Sequence, residues 1–252
     1  MVDIWAQCSD RVSPEPIANE LIRVVESQEQ VATNSIVDNL EEQEALEQML
    51  EDTKPSRPES THNLDYLLAT PFRYPPLKYG SRFGNRNEPS IFYGSLTLNT
   101  AFAETGYYRF LFWIGMSAPP PSGKFTTQHT VLGVNYETKN GLRLQNSPFS
   151  DYEEHLINSS DYRVTQLLGT RMREYGIEAF EYKSARDIDH GLNAALFGPS
   201  ALKSTRPLYK DEWLCEIDGR TVTFFSSPSS SRINKYSYND YLVKGVFPQP
   251  AV

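Results

Sequence analysis

The sequence has few of the residues that build disulfide frameworks and metal sites. Its two cysteines, Cys8 and Cys215, lie far apart, which favours two reduced thiols over a disulfide. The four histidines are scattered, and none is spaced from another histidine or a cysteine as metal ligands are. The sequence therefore predicts a protein that holds no metal ion.

Long apolar runs and excess positive charge are also missing. The most apolar stretch, residues 110–116, is far short of the roughly 20 residues that cross a bilayer. The N-terminus shows no basic segment followed by an apolar one, so no signal peptide is predicted. A net charge of −8 argues against bulk electrostatic binding to nucleic acid or to an anionic membrane. We expect a cytoplasmic protein that binds neither directly.

Familiar nucleotide-binding and catalytic motifs are missing too. The chain contains no Walker-type phosphate loop, no G-x-G-x-x-G after a strand and no nucleophile-elbow pattern. A Ser-His-Asp triad is left open, since its members need not be close in sequence. The candidate residues are instead dispersed along the chain.

What is present is the composition of a folded protein, with 39% hydrophobic and 12% aromatic residues. One helix is predicted from Ser13-Pro14 to about Val31, and a second from Thr33 or Asn34 to Asp52. A polar linker follows over residues 54–63. We therefore expect a helical extension and linker over residues 1–63 and a catalytic domain over residues 64–252.

The second predicted helix is strongly acidic. Between Asp38 and Asp52 it carries seven acidic residues and no basic one. Such a run is usually a solvated face. The alternative is an acidic surface that docks a partner or folds back over a basic cleft.

Beyond residue 63, predicted strands and helices are mixed without strict alternation. Helices are expected over residues 98–116, 151–158 and 161–175, and strands over residues 91–95, 125–136, 177–182, 194–197, 213–217 and 221–225. Asn140-Gly141 is typical of a hairpin turn, and the tail after Ser226 is expected to be irregular. This order predicts an α+β fold rather than a doubly wound parallel sheet.

One short segment is basic in this acidic chain. Residues 73–88 contain four basic residues and one acid, interleaved with aromatics and glycines: Arg73, Lys78, Arg82 and Arg86 against Glu88. This mixture suits a ligand that is both anionic and planar, such as a nucleotide. Downstream, Glu104 stands in an apolar, helical run, where an ionised carboxylate must face an arginine or a cleft.

Taken one at a time, the candidate residues have ordinary explanations. Each arginine is better explained as surface charge or as an ion pair with Glu104. Tyr93 alone is better explained as a core aromatic, and Ser184 as a turn serine. Their joint pattern is more specific.

The pattern consists of segments that follow one another in a fixed order: Pro71-Phe72-Arg73-Tyr74-Pro75-Pro76, Gly80-Ser81-Arg82-Phe83-Gly84, Phe92-Tyr93-Gly94-Ser95, Thr100-Ala101-Phe102-Ala103-Glu104, residues 176–186 and residues 192–197. Together they resemble the RES-domain family, which is named for an arginine, a glutamate and a serine. The likeness covers roughly residues 64–225. The region before it resembles the extension of the longer, toxin-like members.

The resemblance implies a compact α+β fold related to ADP-ribosyltransferases, with a mixed or antiparallel sheet surrounded by helices. It also implies an enzyme whose substrate is NAD, cleaved at the nicotinamide–ribose bond with inorganic phosphate or water as acceptor. Many members are toxins, so an antitoxin protein is the implied partner. Two alternatives stay open: an ADP-ribosyltransferase that modifies a protein, and a nucleotide-binding module without turnover.

The resemblance also assigns residues. Arg82, Glu104 and Ser184 match the family's arginine, glutamate and serine, and are the implied catalytic residues. The implied NAD-binding residues are Arg73, Arg82, Tyr93 and Ser184, with Tyr93 at the nicotinamide. Many members place a tryptophan and an asparagine after the arginine, whereas this chain has Phe83-Gly84, which leaves the shape of this loop open.

Overall fold

The fold is described from a computed structural model over residues 1–27, 37–226 and 232–249. The α-helices are α1 (Ile4–Cys8), α2 (Leu40–Asp52), α3 (Tyr66–Arg73), α4 (Leu98–Ile114), α5 (Glu153–Leu156) and α6 (Arg163–Glu174). The strands are β1 (Glu15–Glu26), β2 (Phe92–Ser95), β3 (Phe125–Arg143), β4 (Ala179–Lys183), β5 (Leu192–Leu196), β6 (Tyr209–Ile217), β7 (Thr221–Ser226) and β8 (Ile233–Ser237). Across these described ranges, no helix has the length and hydropathy needed to cross a membrane.

The strands form one mixed sheet in the order β1-β2-β5-β4-β3-β6-β7-β8. Only the β3–β4 pairing among these ladders is parallel. An additional antiparallel ladder joins β1 to β3, so that β1, β2, β5, β4 and β3 close into a ring. The predicted α+β class with a mixed sheet is thus confirmed, and the relation to ADP-ribosyltransferases stays a prediction.

The predicted N-terminal helix is wrong, because Glu15–Glu26 is strand β1. Ile17 and Leu21 are four residues apart, and this even spacing places both on one face of a strand as well as on one face of a helix. The long ladder with β3 decides between the two periods, and it leaves both side chains almost fully buried. The remainder of the predicted helix, after residue 27, lies outside the described residues.

The second predicted helix is present as α2, but it begins later than expected. Asn39 caps it by accepting a hydrogen bond from the Glu42 amide at 2.9 Å. The division of the chain at residue 63 stays a prediction. The extension is nevertheless not wholly helical, since β1 belongs to the same sheet as the later strands.

The predicted hairpin turn at Asn140-Gly141 is also wrong, because β3 runs through it to Arg143. Gly141 lies opposite Glu15 of β1, and a Cβ atom there would come within 2.3 Å of Ile17 Cγ1. The glycine therefore allows close approach of two strands rather than a turn. The tail is likewise more regular than predicted, since β8 pairs with β7.

Helix α4 is confirmed close to its predicted bounds, and it carries the candidate glutamate. Thr97 caps it by accepting a hydrogen bond from the Thr100 amide. One face of the helix buries Phe102 and Phe110 in the core formed with β6 and β7. The position of Glu104 on the helix is therefore fixed by well-packed neighbours.

Candidate active site

A cavity of about 660 Å³ opens where β1, β2 and α4 meet the segment after α3. Six tyrosines line it: Tyr74, Tyr79, Tyr93, Tyr108, Tyr162 and Tyr182. Its charged lining consists of four arginines and two glutamates: Arg23, Arg82, Arg109, Arg186, Glu26 and Glu104. Two unmatched positive charges among aromatic faces, in a chain of net charge −8, favour a ligand that is anionic and planar.

Glu104 is held in a defined orientation inside this cavity. Its Oε1 accepts hydrogen bonds from Ser184 Oγ at 2.6 Å and from Asn193 Nδ2 at 2.7 Å. The Asn193 amide is itself fixed, because its Oδ1 accepts a hydrogen bond from Ser95 Oγ at 2.7 Å. Both donors to Glu104 bind the same oxygen, so Oε2 is left available to the cavity.

Ser184 lies behind Glu104 rather than in the cavity wall. It is completely buried, and its hydroxyl oxygen accepts hydrogen bonds from the Arg186 and Asp187 amides, both at 3.0 Å. The turn after β4 thereby aims the hydroxyl hydrogen at Glu104. Ser184 is not among the residues that line the cavity, and its predicted contact with the ribose or the carboxamide stays a prediction. The serine is a positioning residue for the carboxylate.

For the NAD cleavage that the family resemblance implies, replacing Ser184 with alanine should lower kcat about tenfold and change KM for NAD by less than about threefold. The reason is that one of the two hydrogen bonds that orient Glu104 is lost. Steady-state kinetics combined with a thermal melt would test this. A variant that is less stable but keeps its kcat would show that the serine serves the fold alone.

Tyr93 lines the cavity as predicted, and its hydroxyl organises the neighbouring loop. The hydroxyl is 2.8 Å from Ser81 Oγ and accepts a hydrogen bond from the Phe83 amide. Burial raises the pKa of Tyr93 to about 12, so the phenol is neutral at neutral pH. Phe83 is fully buried against Tyr182, with ring centroids 4.8 Å apart. The loop therefore closes around Tyr93, whose ring remains the part available to a ligand.

Arg82 also lines the cavity, and it has no carboxylate partner among the described ion pairs. Its Nη1 donates to the carbonyl oxygens of Asn158 at 2.8 Å and Leu156 at 3.3 Å. The guanidinium carbon lies 5.1 Å from the centre of the Tyr162 ring. The ion pair with Glu104 that the sequence left open is thus not formed, and the charge of Arg82 is free to meet a ligand.

Arg73 is the candidate that the structure does not bring to the cavity. Its Nη1 forms an ion pair with Glu51 Oε1 at 2.5 Å, and its Nε donates to the Pro55 carbonyl. The side chain is buried between the end of α2 and the linker. In this position Arg73 ties the acidic helix to α3, and its predicted role in binding NAD stays a prediction.

Arg23 occupies the cavity instead, and sequence reasoning missed it. Its Nη1 donates to the Tyr93 carbonyl at 2.5 Å, and its guanidinium lies 4.5 Å from the centre of the Phe92 ring. Burial lowers the pKa of Arg23 to about 10, so the group still carries its charge at neutral pH. No local signal could have found it, because its place depends on the pairing of β1. Asn193 was detectable, as a polar residue inside the apolar Leu192–Leu196 strand.

His129 lies on β3 directly opposite Glu26 of β1 and is 2% exposed. Burial, with a smaller contribution from the Arg109 charge, lowers its pKa to about 4. A histidine in the unfolded chain titrates near pH 6.5. Between these two values the unfolded chain binds more protons than the folded protein, so the folded state loses stability as the pH falls.

We therefore expect the free energy of unfolding to decrease by about 3 kcal/mol, from this histidine alone, between roughly pH 6.5 and 4. Urea unfolding of the protein and of a His129→Gln variant across this range would measure the contribution. The variant should show a shallower dependence on pH, and equal slopes would contradict the assignment.

Comparison with known families adds an independent observation. A family model described as the RES domain matches residues 55–218, well over half of the chain. The match includes the loop of Arg82, helix α4 with Glu104, and the turn after β4 with Ser184. A comparison with curated proteins gave no match. This chain belongs to the RES-domain family.

Proposed function

We propose that this protein cleaves the nicotinamide–ribose bond of NAD and transfers ADP-ribose to inorganic phosphate or water. RES domains are known from toxin–antitoxin systems, and the family suggests an enzymatic role related to NAD. The observation that carries the proposal is one cavity lined both by a fixed carboxylate, Glu104, and by Arg23 and Arg82, which have no carboxylate partner among the described ion pairs.

The chemistry needs negative charge beside the ribose. When the C–N bond breaks, both bonding electrons leave with nicotinamide, which becomes neutral, and C1′ of the ribose gains positive charge. A carboxylate at this point stabilises the oxocarbenium-like state. Glu104 suits the role, because Ser184 and Asn193 hold Oε1 and leave Oε2 to interact with the ribose.

The acceptor completes the reaction as a nucleophile that attacks the positively charged C1′. An oxygen of phosphate forms a bond to C1′ and gives ADP-ribose phosphate, whereas water gives ADP-ribose and releases a proton. Arg82 would bind the pyrophosphate of NAD through charge-assisted hydrogen bonds. The ring of Tyr93 would pack against the nicotinamide. Arg23, fixed at the Tyr93 carbonyl, adds a positive charge that helps retain an anionic ligand.

Product analysis tests this proposal and separates it from the alternatives. The purified protein is incubated with NAD, with and without phosphate, and nicotinamide and ADP-ribose products are quantified by chromatography and mass spectrometry. Nicotinamide release that phosphate accelerates indicates phosphorolysis, and release without that dependence indicates hydrolysis. ADP-ribose attached to protein would favour transferase activity. NAD binding without nicotinamide release over hours would refute cleavage and leave a binding module.

An enzyme that consumes NAD inside its own cell needs restraint, so we also propose an antitoxin partner. The rim of the cavity exposes apolar side chains, with Leu77 59% and Tyr108 53% exposed. A protein that covers these side chains and places a carboxylate near the arginines would block NAD. Co-purification with the product of a neighbouring reading frame would support this, and harmless overexpression of the active chain alone would argue against it.

A further inference from the structure

The C-terminal segment, residues 233–248, lies beyond the stretch that matches the RES-domain model, yet it contacts α4, the helix that carries Glu104. Hydrogen bonds connect the segment to the helix at several points: Asn234 Nδ2 to Asn99 Oδ1 at 2.9 Å, Tyr236 Oη to the Asn99 carbonyl at 2.8 Å, Tyr241 Oη to the Ala103 carbonyl at 2.9 Å, and Tyr107 Oη to the Pro248 carbonyl at 2.7 Å. The segment is therefore attached to α4 both at its first turn and beside Glu104.

Tyr241 reaches the turn of α4 on which Glu104 lies. Its hydroxyl donates to the carbonyl oxygen of Ala103, the residue directly before Glu104. Tyr241 is 5% exposed, and burial raises the pKa of its phenol, so the hydroxyl keeps its proton at neutral pH. Its ring packs edge-on against Phe110, with the ring centroids 5.5 Å apart. The tyrosine is therefore held both by its hydroxyl and by its ring.

Gly106, two residues after Glu104, leaves room for this hydroxyl. A Cβ atom at Gly106 would lie 2.5 Å from the Tyr241 hydroxyl oxygen, a distance at which either the tyrosine or the helix must move. The tyrosine cannot move without giving up its contacts with Ala103 and Phe110. Glycine is also the poorer helix former, so helix propensity alone would favour alanine here. Close packing with Tyr241 accounts for the glycine.

We propose that the contact between Tyr241 and Gly106 positions the turn of α4 that carries Glu104, so that the C-terminal segment completes the candidate active site. Ser184 and Asn193 hold the carboxylate of Glu104, whereas Tyr241 holds the backbone from which that side chain projects. A displacement of about 1 Å can cost on the order of a hundredfold in rate. The inference rests on the proposed function in one respect, namely that Glu104 acts on the ribose. Tyr241 lies outside the described lining of the cavity, so it is a positioning residue.

The first test compares two tyrosine-to-phenylalanine variants of the full chain in the NAD cleavage assay. Tyr241→Phe removes the hydrogen bond to Ala103 and should lower kcat about threefold to tenfold, with KM for NAD within about twofold. Tyr236→Phe removes a hydrogen bond of the same kind from the first turn of α4 and should keep kcat within about twofold. Thermal melts verify that both variants are folded at the assay temperature. Native kcat in Tyr241→Phe, or equal losses in both variants, would overturn the proposal.

The second test uses the lack of space at Gly106. Gly106→Ala should lower kcat about tenfold, because the added methyl group displaces Tyr241 or the helix. In the Tyr241→Phe background the hydroxyl is absent, and the next atom of that ring, Cζ, lies 3.5 Å from the added Cβ, an ordinary van der Waals distance. Gly106→Ala should therefore change kcat by less than about twofold in that background. A loss by the same factor in both backgrounds would show that the two residues act independently, against the proposal.

Thermal unfolding gives the same comparison without substrate. Gly106→Ala should lower the midpoint by about 2 to 8 °C in the native background, the effect of a close contact in a packed core. In the Tyr241→Phe background it should raise the midpoint by about 1 to 3 °C, because alanine is the better helix former. If Gly106→Ala alone fails to fold, recovery of folding in the double variant measures the same compensation. A midpoint lowered equally in both backgrounds would contradict the contact.

A spectroscopic readout separates this outcome from that of the proposed function. The glutamate carboxyl carbons are labelled with ¹³C, and the signal that Glu104→Gln lacks is that of Glu104. This signal should shift in Tyr241→Phe and stay in place in Tyr236→Phe. That result, without nicotinamide release by the native protein, would sustain the positioning contact and refute cleavage. Nicotinamide release with native kcat and an unshifted signal in Tyr241→Phe would sustain cleavage and refute the positioning contact.

Discussion

Glu104→Gln is expected to lower kcat for NAD cleavage by about a hundredfold to a thousandfold, the effect of removing one preorganised electrostatic group. The affinity for NAD should change only a few-fold, because the glutamine keeps the size of the side chain. Ser184 and Asn193 can still donate to the glutamine carbonyl, so the local hydrogen bonds survive. In the proposed mechanism, what is lost is the negative charge that stabilises the developing cation on the ribose.

The chain offers a matched control for this experiment in Glu181 on β4. This glutamate is 5% exposed and, like Glu104, accepts from one hydroxyl and one amide, those of Tyr136 at 2.7 Å and Gln145 at 3.1 Å. It does not line the cavity. Glu181→Gln should therefore keep kcat near the native value in single-turnover and steady-state assays. Native activity in a folded Glu104→Gln protein would remove the carboxylate from the mechanism.

Arg82→Lys is expected to raise KM for NAD by about tenfold to a hundredfold, the cost of losing a hydrogen bond to a charged group. The Nη1 of the guanidinium donates to the carbonyl oxygens of Leu156 and Asn158, and its remaining nitrogens can still donate to a phosphate. An ammonium group lacks the planar fork of a guanidinium, so it cannot donate to these carbonyl oxygens and to a phosphate at the same time.

Arg86 supplies the control for this second substitution. It is four residues further along the same segment and exposed to solvent, and it does not line the cavity. Arg86→Lys should leave KM unchanged. The affinity for NAD is measured by calorimetric titration of two proteins, Glu104→Gln alone and Glu104→Gln combined with Arg82→Lys, in which turnover is expected to be slow. Equal NAD affinity with and without the Arg82→Lys change would remove Arg82 from the binding site.

The predicted site residues that line the cavity belong to short segments with local constraints. Tyr93 lies in a strand of apolar neighbours, and Glu104 in a capped helix whose apolar face is clear from the sequence. Arg82 stands between glycines that allow a tight loop. For such segments the side chain's environment is largely set within a few residues, so the pattern was informative.

The structure departs from the sequence-based expectation, or adds to it, where two periodicities or two roles fit the same residues. Ile17 and Leu21 suit a helix or a strand, and the partner strand β3 decides between them. Arg73 is basic and next to the family segment, yet Glu51 on α2 neutralises it. Ser184 is predicted to contact the ligand, and the structure shows that it also supports the Glu104 carboxylate through a hydrogen bond.

The sequence by itself determined the RES-domain family, the α+β class, and the presence of Arg82, Tyr93 and Glu104 in the segments that resemble the family. Only the tertiary structure decided which arginines face the cavity and which groups hold the carboxylate. Arg23 meets Tyr93 across 70 residues of chain, and Ser184 meets Glu104 across 80. Contacts of that separation depend on strand pairing and helix packing, which local side-chain preferences do not specify.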